Sequence, residues 1–159
     1  MPPITALLHT KNDALRVGRA LETLFPCSEI LIVDHHSTDG TLRVANEYGA
    51  RILLADRQQA GEHYIQQASH DWLLCLLPSE SLSEGLQASL FEWSSWPAAQ
   101  VAGTYAFSVR EQVGANWRNL SPPQTRLVPS SWTNWNGALP AQHSSSQPLE
   151  GELLRVAFP

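Results

Sequence analysis

Asp34 is the residue whose type and position are best suited to ligand chemistry. It closes an aliphatic run, residues 30–33, that is typical of a buried parallel strand, and residues 37–40 (Ser-Thr-Asp-Gly) are typical of a helix start. Ligands of open α/β sheets bind at the carboxyl ends of strands. The Asp34 carboxylate could therefore accept hydrogen bonds from a base or ribose, with the following backbone N–H groups facing a phosphate. The alternative is an acid that only orders the loop or caps the helix.

A second polar turn, Thr10, Lys11 and Asn12, follows the first apolar run of the chain. If the two strands are neighbours, this turn lies beside Asp34, and Lys11 is a candidate phosphate contact, although a solvated loop lysine is the more common case. Asp39 is a further candidate, and its alternative is an acid favoured by the helix dipole. We predict one ligand site formed by these five residues.

Two adjacent histidines, His35 and His36, invite comparison with a metal site, because imidazole is a common metal ligand. Side chains of adjacent residues point apart, however, and the other four histidines are scattered along the chain. No second Cys or His group at ligand spacing supports the pair. We therefore predict no metal site.

The composition is that of a globular protein. The 159 residues are 43% hydrophobic and 16% charged, which is enough for one domain with a real core. A net charge of −5 offers no basic footprint, so nucleic acid is not an expected partner. Cys27 and Cys75 lie far apart, as in proteins with reduced thiols. Without a signal-peptide pattern or a membrane-length apolar run, we predict a soluble cytoplasmic protein, with peripheral association at the inner membrane left open.

Hydrophobic periodicity predicts alternating strands and helices in the first 96 residues. The predicted strands are residues 4–9, 29–33, 51–54 and 72–77. The first helix is capped by Asn12 or Asp13, and its apolar face consists of Ala14, Val17, Leu21, Leu24 and Phe25. The second helix has Leu42, Ala45 and Tyr48 on one face and stops at Gly49. The third helix covers residues 61–68. Ser81 and Glu84 have capping-box spacing before a helix with Leu82, Leu86, Leu90 and Trp93.

This order of elements predicts an α/β fold, a three-layer α/β/α sandwich around a mostly parallel, doubly wound sheet. After Pro97 the pattern changes to strands, predicted at residues 103–113, 126–128 and 149–158. We predict one domain, residues 1–159, made of a nucleotide-binding α/β half (residues 1–96) and a β-rich half (residues 97–159).

Three segments together resemble a known family: ITALLHTKND (residues 4–13), ILIVDHHSTDGT (residues 30–41) and EYGARIL (residues 47–53). They are similar to the amino-terminal half of family 2 glycosyltransferases, inverting enzymes with a GT-A fold, and above all to the lipopolysaccharide-core type. That type has a Thr-Lys-Asn-Glu-like turn and an Asp-x-x-Ser-Thr-Asp-Gly-Thr segment, which match Thr10–Asp13 and Asp34–Thr41. The resemblance is specific over about the first 55 residues and looser to about residue 95.

The resemblance implies a GT-A-like fold and a nucleotide sugar as donor, a UDP sugar above all, used for inverting hexosyl transfer to a glycan or glycolipid acceptor that it does not identify. It also implies that residues 97–159 form the acceptor side. There Trp132 and Trp135 could stack on sugar rings, although packing in a core or in a homo-oligomer interface is the favoured interpretation.

The family's metal-binding motif is missing. Relatives of the lipopolysaccharide-core type have Leu-Asp-Ala-Asp-Glu after the fourth strand, and its two aspartates hold a divalent cation against the diphosphate. The matching residues here are 76–80, with Leu77 and Ser79 in place of the aspartates. A divalent cation is therefore not expected. Glu80, which keeps the flanking acid, is a candidate catalytic acid or base, and its alternative is a helix-start acid.

A second departure concerns the general base that inverting transfer requires. Residues 126–128 (Arg-Leu-Val) and 135–137 (Trp-Asn-Gly) match the family's frame, but Leu139 and Pro140 replace its His-Glu pair. The chain is also short for the family, which indicates a truncated form with little room for an acceptor domain.

Two hypotheses follow. In the first, the protein is an active transferase whose diphosphate charge is neutralised by Lys11, Arg57 or Arg126. In the second, it is a catalytically inactive GT-A-fold protein that binds a partner or self-associates. A third interpretation, a regulator of flavodoxin or receiver type, fits the strand order but not the two polar turns together.

Overall fold

A computed structural model describes residues 4–58 and 61–156. Its strands are β1 (Ile4–Thr10), β2 (Glu29–Asp34), β3 (Arg51–Leu54), β4 (Trp72–Leu76), β5 (Glu80–Leu82), β6 (Tyr105–Val113), β7 (Asn116–Pro129), β8 (Trp135–Asn136), β9 (Leu139–Pro140) and β10 (Gln147–Val156). Its α-helices are α1 (Val17–Glu22), α2 (Thr41–Glu47), α3 (Gly61–Ile65) and α4 (Glu84–Ser94), and a short 3₁₀ helix spans Ala98–Gln100.

Both halves of the chain contribute to one eight-stranded sheet, in the order β3-β2-β1-β4-β7-β6-β10-β5. The first four strands are parallel, as the βαβ pattern predicts. Strand β7 then pairs antiparallel with β4 and β6, and β10 lies parallel to β6 and antiparallel to β5, so the complete sheet is mixed. In the register of β1 against β2, Thr10 lies opposite Asp34. The two polar turns therefore leave the sheet side by side.

The core lies on both faces of the sheet, because successive side chains of the central strands alternate between the faces. One face carries α1, α2 and α4, with Leu8, Ile32 and Leu74 beneath them. The other carries Leu7, Leu31 and Cys75, covered by Tyr64 of α3 and by the segment around Trp132 and Trp135. This second outer layer is thinner than the first.

Two helix starts differ from the predictions. Helix α1 begins at Val17 without a side-chain cap, because the Asn12 side chain bonds to the turn after β2 and the Asp13 carboxylate accepts from the Lys11 N–H and pairs with Arg16. The helix ends at Glu22, and of the two predicted residues beyond it Leu24 is buried whereas Phe25 is 57% exposed. The predicted cap at Asn12 or Asp13 and the predicted burial of Phe25 are therefore wrong.

The predicted capping box at Ser81 and Glu84 is also wrong. Ser83 caps α4 by accepting a hydrogen bond from the Leu86 N–H, at 3.2 Å. Ser81 and Leu82 lie in β5, where they pair with β10. Since β10 lies some seventy residues further along the chain, local spacing could not reveal this strand.

Other local predictions are confirmed. Gly49 adopts a left-handed conformation, with φ 73°, just after α2. Cys27 and Cys75 are free thiols, and Cys75 is buried. The predicted strand at 126–128 is the end of the much longer β7, which forms a hairpin with β6. Residues 157 and 158 of the last predicted strand lie outside the described residues. Within the described ranges, no helix combines the length and apolarity needed to cross a membrane.

Gly151 provides a test of how β10 packs against α4. Its φ is 104°, and a Cβ there would overlap the backbone of Gly85 and Leu86. We expect Gly151→Ala to lower the free energy of unfolding by about 3 kcal/mol or more, because neither backbone can move without breaking the sheet or the helix.

Gly114→Ala is the matched control, because Gly114 also has a positive φ but nothing within 4 Å of its added Cβ. Only the conformational cost, about 1 kcal/mol, is expected there. Urea denaturation measures both variants, and equal losses would contradict the close contact between β10 and α4.

Candidate functional site

Asp34 is buried at the carboxyl end of β2 and holds the turn that follows it. One carboxylate oxygen accepts from the Thr10 hydroxyl at 2.7 Å and from the Ser37 hydroxyl at 2.6 Å, and the other accepts from the Ser37 N–H at 2.9 Å. Burial by itself raises the pKa of Asp34, but the hydrogen bonds from Ser37 and Thr10 outweigh it and hold the pKa below its ordinary value. Asp34 is thus an ionised acid that orders the loop from beneath.

Asn12 joins the turn after β1 to the turn after β2. It adopts a left-handed conformation, with φ 52°, its N–H donates to the Ser37 hydroxyl at 2.8 Å, and its side-chain oxygen accepts from the Thr38 N–H at 2.8 Å. The neighbouring Lys11 ammonium donates to the His36 carbonyl at 2.9 Å. These reciprocal bonds make the two turns one unit.

Asp39 closes the same unit from the helix side. Its carboxylate accepts from the Ala14 N–H at 3.2 Å and from the N–H and hydroxyl of Thr41. The Thr41 hydroxyl also accepts from the Asp13 N–H at 2.9 Å. The hydrogen bond from the Thr41 hydroxyl is the main reason that the pKa of Asp39 lies below its ordinary value.

The structure thus brings together all five residues of the predicted ligand site. Thr10 and Asp34 are buried and bond to each other, so a ligand could reach Asp34 only by displacing the Ser37 hydroxyl. Lys11, Asn12 and Asp39 are exposed. Within this structure Asp34 orders the loop, as the alternative interpretation of this acid predicted. Ligand contact by the five residues stays a prediction.

A cleft of about 850 Å³ opens beside the two turns, at the carboxyl ends of β1, β2 and β3. We call it the strand-end cleft. It is lined by His9, Lys11, His35, His36, Ala55, Asp56, Arg57, Gly61, Tyr64, Gly137 and Ala138. Two of these side chains, Lys11 and Arg57, are permanently positive, and one, Asp56, is an acid. This balance favours an anionic ligand.

A smaller lobe of about 310 Å³ continues from the cleft and shares His9, Gly61, Gly137 and Ala138 with it. Its own walls include Leu7, Glu62, Ile65, Thr133 and Trp135. Trp135 therefore lines this lobe while it packs on the core, and its indole N–H donates to the Trp132 carbonyl at 2.8 Å. The local sequence pattern does not indicate which further residues line the cleft and the lobe, because these residues become neighbours only through the order of strands in the sheet. They include His9, Asp56 and Tyr64 of the cleft and Glu62 of the lobe.

Glu80 is placed differently from the predicted catalytic acid or base. It lies in β5, is fully buried, and forms a two-pronged ion pair with Arg126 at 2.6 and 2.9 Å. It also accepts from Arg155 at 2.9 Å and from the Leu77 N–H at 2.8 Å. Burial alone raises its pKa, but Arg126, together with Leu77 and Arg155, holds the pKa below the ordinary value. This geometry makes Glu80 a structural acid, neither a helix-start acid nor a group facing the cleft.

The residues at the family's metal position do not fit a divalent cation. Leu77 and Ser79 replace the aspartates, and the oxygens of Glu80 are engaged by two arginines. In residues 4–58 and 61–156, no three His, Cys, Asp or Glu side chains are grouped as metal ligands. Leu139 and Pro140, at the family's His-Glu position, form β9 against β8 and supply no base.

Comparisons with known proteins agree with the resemblance. No protein-family model matches the chain. The chain is 34% identical over 95 residues to an uncharacterized glycosyltransferase of Rickettsia felis, a match that covers 55% of this chain and 32% of that protein. It is 31% identical over 98 residues to the lipopolysaccharide core biosynthesis glycosyltransferase LpsC of Rhizobium meliloti, which covers 57% of this chain and 36% of LpsC. The chain therefore spans about a third of the length of these relatives.

Among solved structures, the crystal structure of S. aureus TarS residues 1–349 matches with a TM-score of 0.57 and 14% identity, over 82% of this chain and 48% of that TarS fragment. This match confirms the GT-A fold. The sequence matches confirm that the chain is related to glycosyltransferases, including one of the lipopolysaccharide-core type.

The Glu80 ion pair predicts a large effect on stability. Glu80→Gln leaves the Arg126 guanidinium buried without its counter-ion, so we expect the free energy of unfolding to fall by about 3 kcal/mol or more. Arg118→Gln removes an exposed ion pair with Glu111 and is expected to cost less than about 1 kcal/mol. Urea denaturation at pH 7 measures both variants. An unchanged stability of Glu80→Gln would contradict the structural role.

The same pair predicts a pH dependence. Because the pKa of Glu80 is lower in the folded chain, its contribution is complete above the ordinary value of 4.5 and is lost as the pH falls through the folded pKa. The stability difference between wild type and Glu80→Gln should therefore shrink in acid. A difference that stays constant down to the acid limit of folding would contradict the lowered pKa.

Proposed function

We propose that the strand-end cleft binds a nucleoside-diphosphate sugar, with a uridine diphosphate sugar as the donor, and that the protein transfers its hexosyl group with inversion to a glycan or glycolipid. The observation that carries this proposal is the position of Lys11 and Arg57, which line the same cleft at the carboxyl ends of the parallel strands. Relationship to glycosyltransferases supports the choice of ligand. A glycolipid acceptor would bring the protein to the surface of the inner membrane.

Lys11 and Arg57 are the groups suited to neutralise the diphosphate. Arg126, a third candidate from the sequence, is buried against Glu80 and bonds to the Cys75 carbonyl, so its charge is already compensated. Cations on exposed side chains can approach a phosphate without prior loss of an ion pair. The two side chains would supply positive charge where relatives of the family use a divalent cation.

The unit formed by the turns after β1 and β2 would bind the nucleoside. Asn12 and Asp39 lie at the exposed surface of the unit, beside the cleft, and would flank the ribose, whereas the buried Thr10 and Asp34 order the backbone of the turns. In this proposal Asp34 acts on the nucleoside through the shape of the loop. A rigid loop loses little conformational entropy when a ligand binds.

A second candidate is a protein that binds the nucleotide sugar, or a further copy of itself, without catalysis. The observation that favours it is the absence of free carboxylates at residues 77, 79, 139 and 140, with Glu80 occupied by two arginines. Transfer from UDP-[¹⁴C]glucose to a panel of glycan and lipid acceptors separates the two candidates. Transfer that a Lys11→Ala substitution abolishes would rule out the non-catalytic protein.

The binding proposal predicts that two substitutions weaken affinity. We expect Lys11→Ala and Arg57→Ala each to reduce the affinity for UDP by about tenfold, since each removes a charge-assisted hydrogen bond to phosphate. Isothermal calorimetry in the presence of EDTA measures this change without any contribution from a metal ion.

Arg118→Ala is the control, because Arg118 is an exposed arginine of β7 that pairs with Glu111 and lies outside the residues lining the cleft. It should bind UDP as wild type does. Equal affinity of all four proteins would show that the nucleotide binds elsewhere, and no binding to wild type would overturn the proposal.

A further inference from the structure

His9 and His35 form a pair of imidazoles inside the strand-end cleft. The Nδ1 atom of His9 lies 2.8 Å from the Nε2 atom of His35, and the two rings stack with centroids 5.1 Å apart. At this distance one nitrogen must donate and the other accept, so the two rings share one N–H between these atoms. The Tyr64 ring packs edge-on against His9, and the backbone N–H of His35 donates to the Thr10 carbonyl at 2.8 Å. Contacts from β1, from α3 and from the turn after β2 thus fix the position of the pair.

The charges around the pair are mixed. In the cleft it is accompanied by Lys11, His36, Arg57, Asp56 and the Tyr64 hydroxyl, and in the smaller lobe by Glu62. The buried Asp34 carboxylate interacts with His35 from beneath. Burial, with a smaller contribution from His35, lowers the pKa of His9 to about 4. Without a ligand, His9 is therefore neutral at physiological pH.

We propose that the His9–His35 pair takes up one proton from solvent when the diphosphate of a nucleotide sugar occupies the strand-end cleft. The added proton converts the neutral pair to an imidazolium hydrogen-bonded to an imidazole, with the bond between Nδ1 and Nε2 kept. The proposal rests on the proposed function and adds a third positive group to Lys11 and Arg57. Leu77 and Ser79 cannot hold a metal ion that would neutralise the diphosphate. In this proposal the protonated pair provides part of that neutralisation.

Physical chemistry favours this response because a nearby anion stabilises the charged form of an imidazole. The 2.8 Å contact between Nδ1 and Nε2 helps further, since the second ring accepts a hydrogen bond from the protonated one. Burial opposes the charged form of His9, and the negative charge of a bound diphosphate offsets that cost. Proton uptake and anion binding are therefore linked, and each strengthens the other.

Calorimetric titration of UDP-glucose, with EDTA present, tests the proposal. Titrations between pH 5.5 and 8.5, in buffers of different ionisation enthalpy, give the number of protons taken up per ligand bound. UDP-glucose is the probe because its diphosphate is a diester without a secondary phosphate ionisation in this range. We expect uptake that approaches one proton per ligand, and an affinity that falls as the pH rises.

Matched variants assign the proton to the pair. His35→Gln and His9→Gln should both bind UDP-glucose with the uptake lost and the pH dependence flattened, and His35, an exposed side chain, can be replaced with little risk to folding. His70→Gln is the control, because His70 lines a different cavity at the amino-terminal ends of the strands. It should keep the wild-type uptake.

The outcomes separate the two proposals. Binding of UDP-glucose to wild type without proton uptake, or uptake that persists in both pair variants, would overturn the role of the histidines and leave the nucleotide-sugar proposal intact. No binding at any pH would overturn the proposed function itself. Imidazole NMR gives an independent readout: the Hε1 resonances of His9 and His35 should titrate at higher pH with the ligand bound than without it.

Discussion

The ion pair between Arg126 and Glu80 is the interaction on which the shape of the sheet depends. Arg126 belongs to β7, in the middle of the sheet, and Glu80 belongs to β5, at its edge. Arg126 also donates to the Cys75 carbonyl of β4, and Arg155 of β10 reaches the same Glu80 carboxylate. Strands β5, β7 and β10 thus meet at one buried carboxylate, and β4 joins them through Arg126. Buried charges are stable only when paired, so these strands cannot separate without large cost.

This network also defines the role of Glu80 in this chain. The acid that remains after the family's fourth strand serves to hold β4, β5, β7 and β10 together, and Leu77 donates its backbone N–H to it. The connection between β4 and β5 therefore stabilises the sheet. The proposed ligand site lies at the other strand ends, where the joined turns after β1 and β2 border the strand-end cleft.

The sequence predicted the strands and the polar turns well, because both depend on local patterns. Aliphatic runs identified β1 to β4, and the Asp34–Thr41 segment indicated the loop that the structure shows. The errors concern residues whose position depends on distant partners. Ser81 joins β5 because β10 lies beside it, and Phe25 is exposed because α1 ends at Glu22, so that Phe25 lies outside the helix face that packs on the sheet.

By itself, the sequence determined the α/β order, the position of two polar turns at strand ends and the absence of aspartate at residues 77 and 79. These properties follow from hydrophobic periodicity, strand-end chemistry and residue identity at single positions. Only the tertiary structure decided that Glu80 faces Arg126, 46 residues away, and that His9 faces His35, 26 residues away. The physical reason is that an element's type depends on its own residues, whereas the partner of a charged or titratable side chain depends on which strands the whole sheet brings side by side.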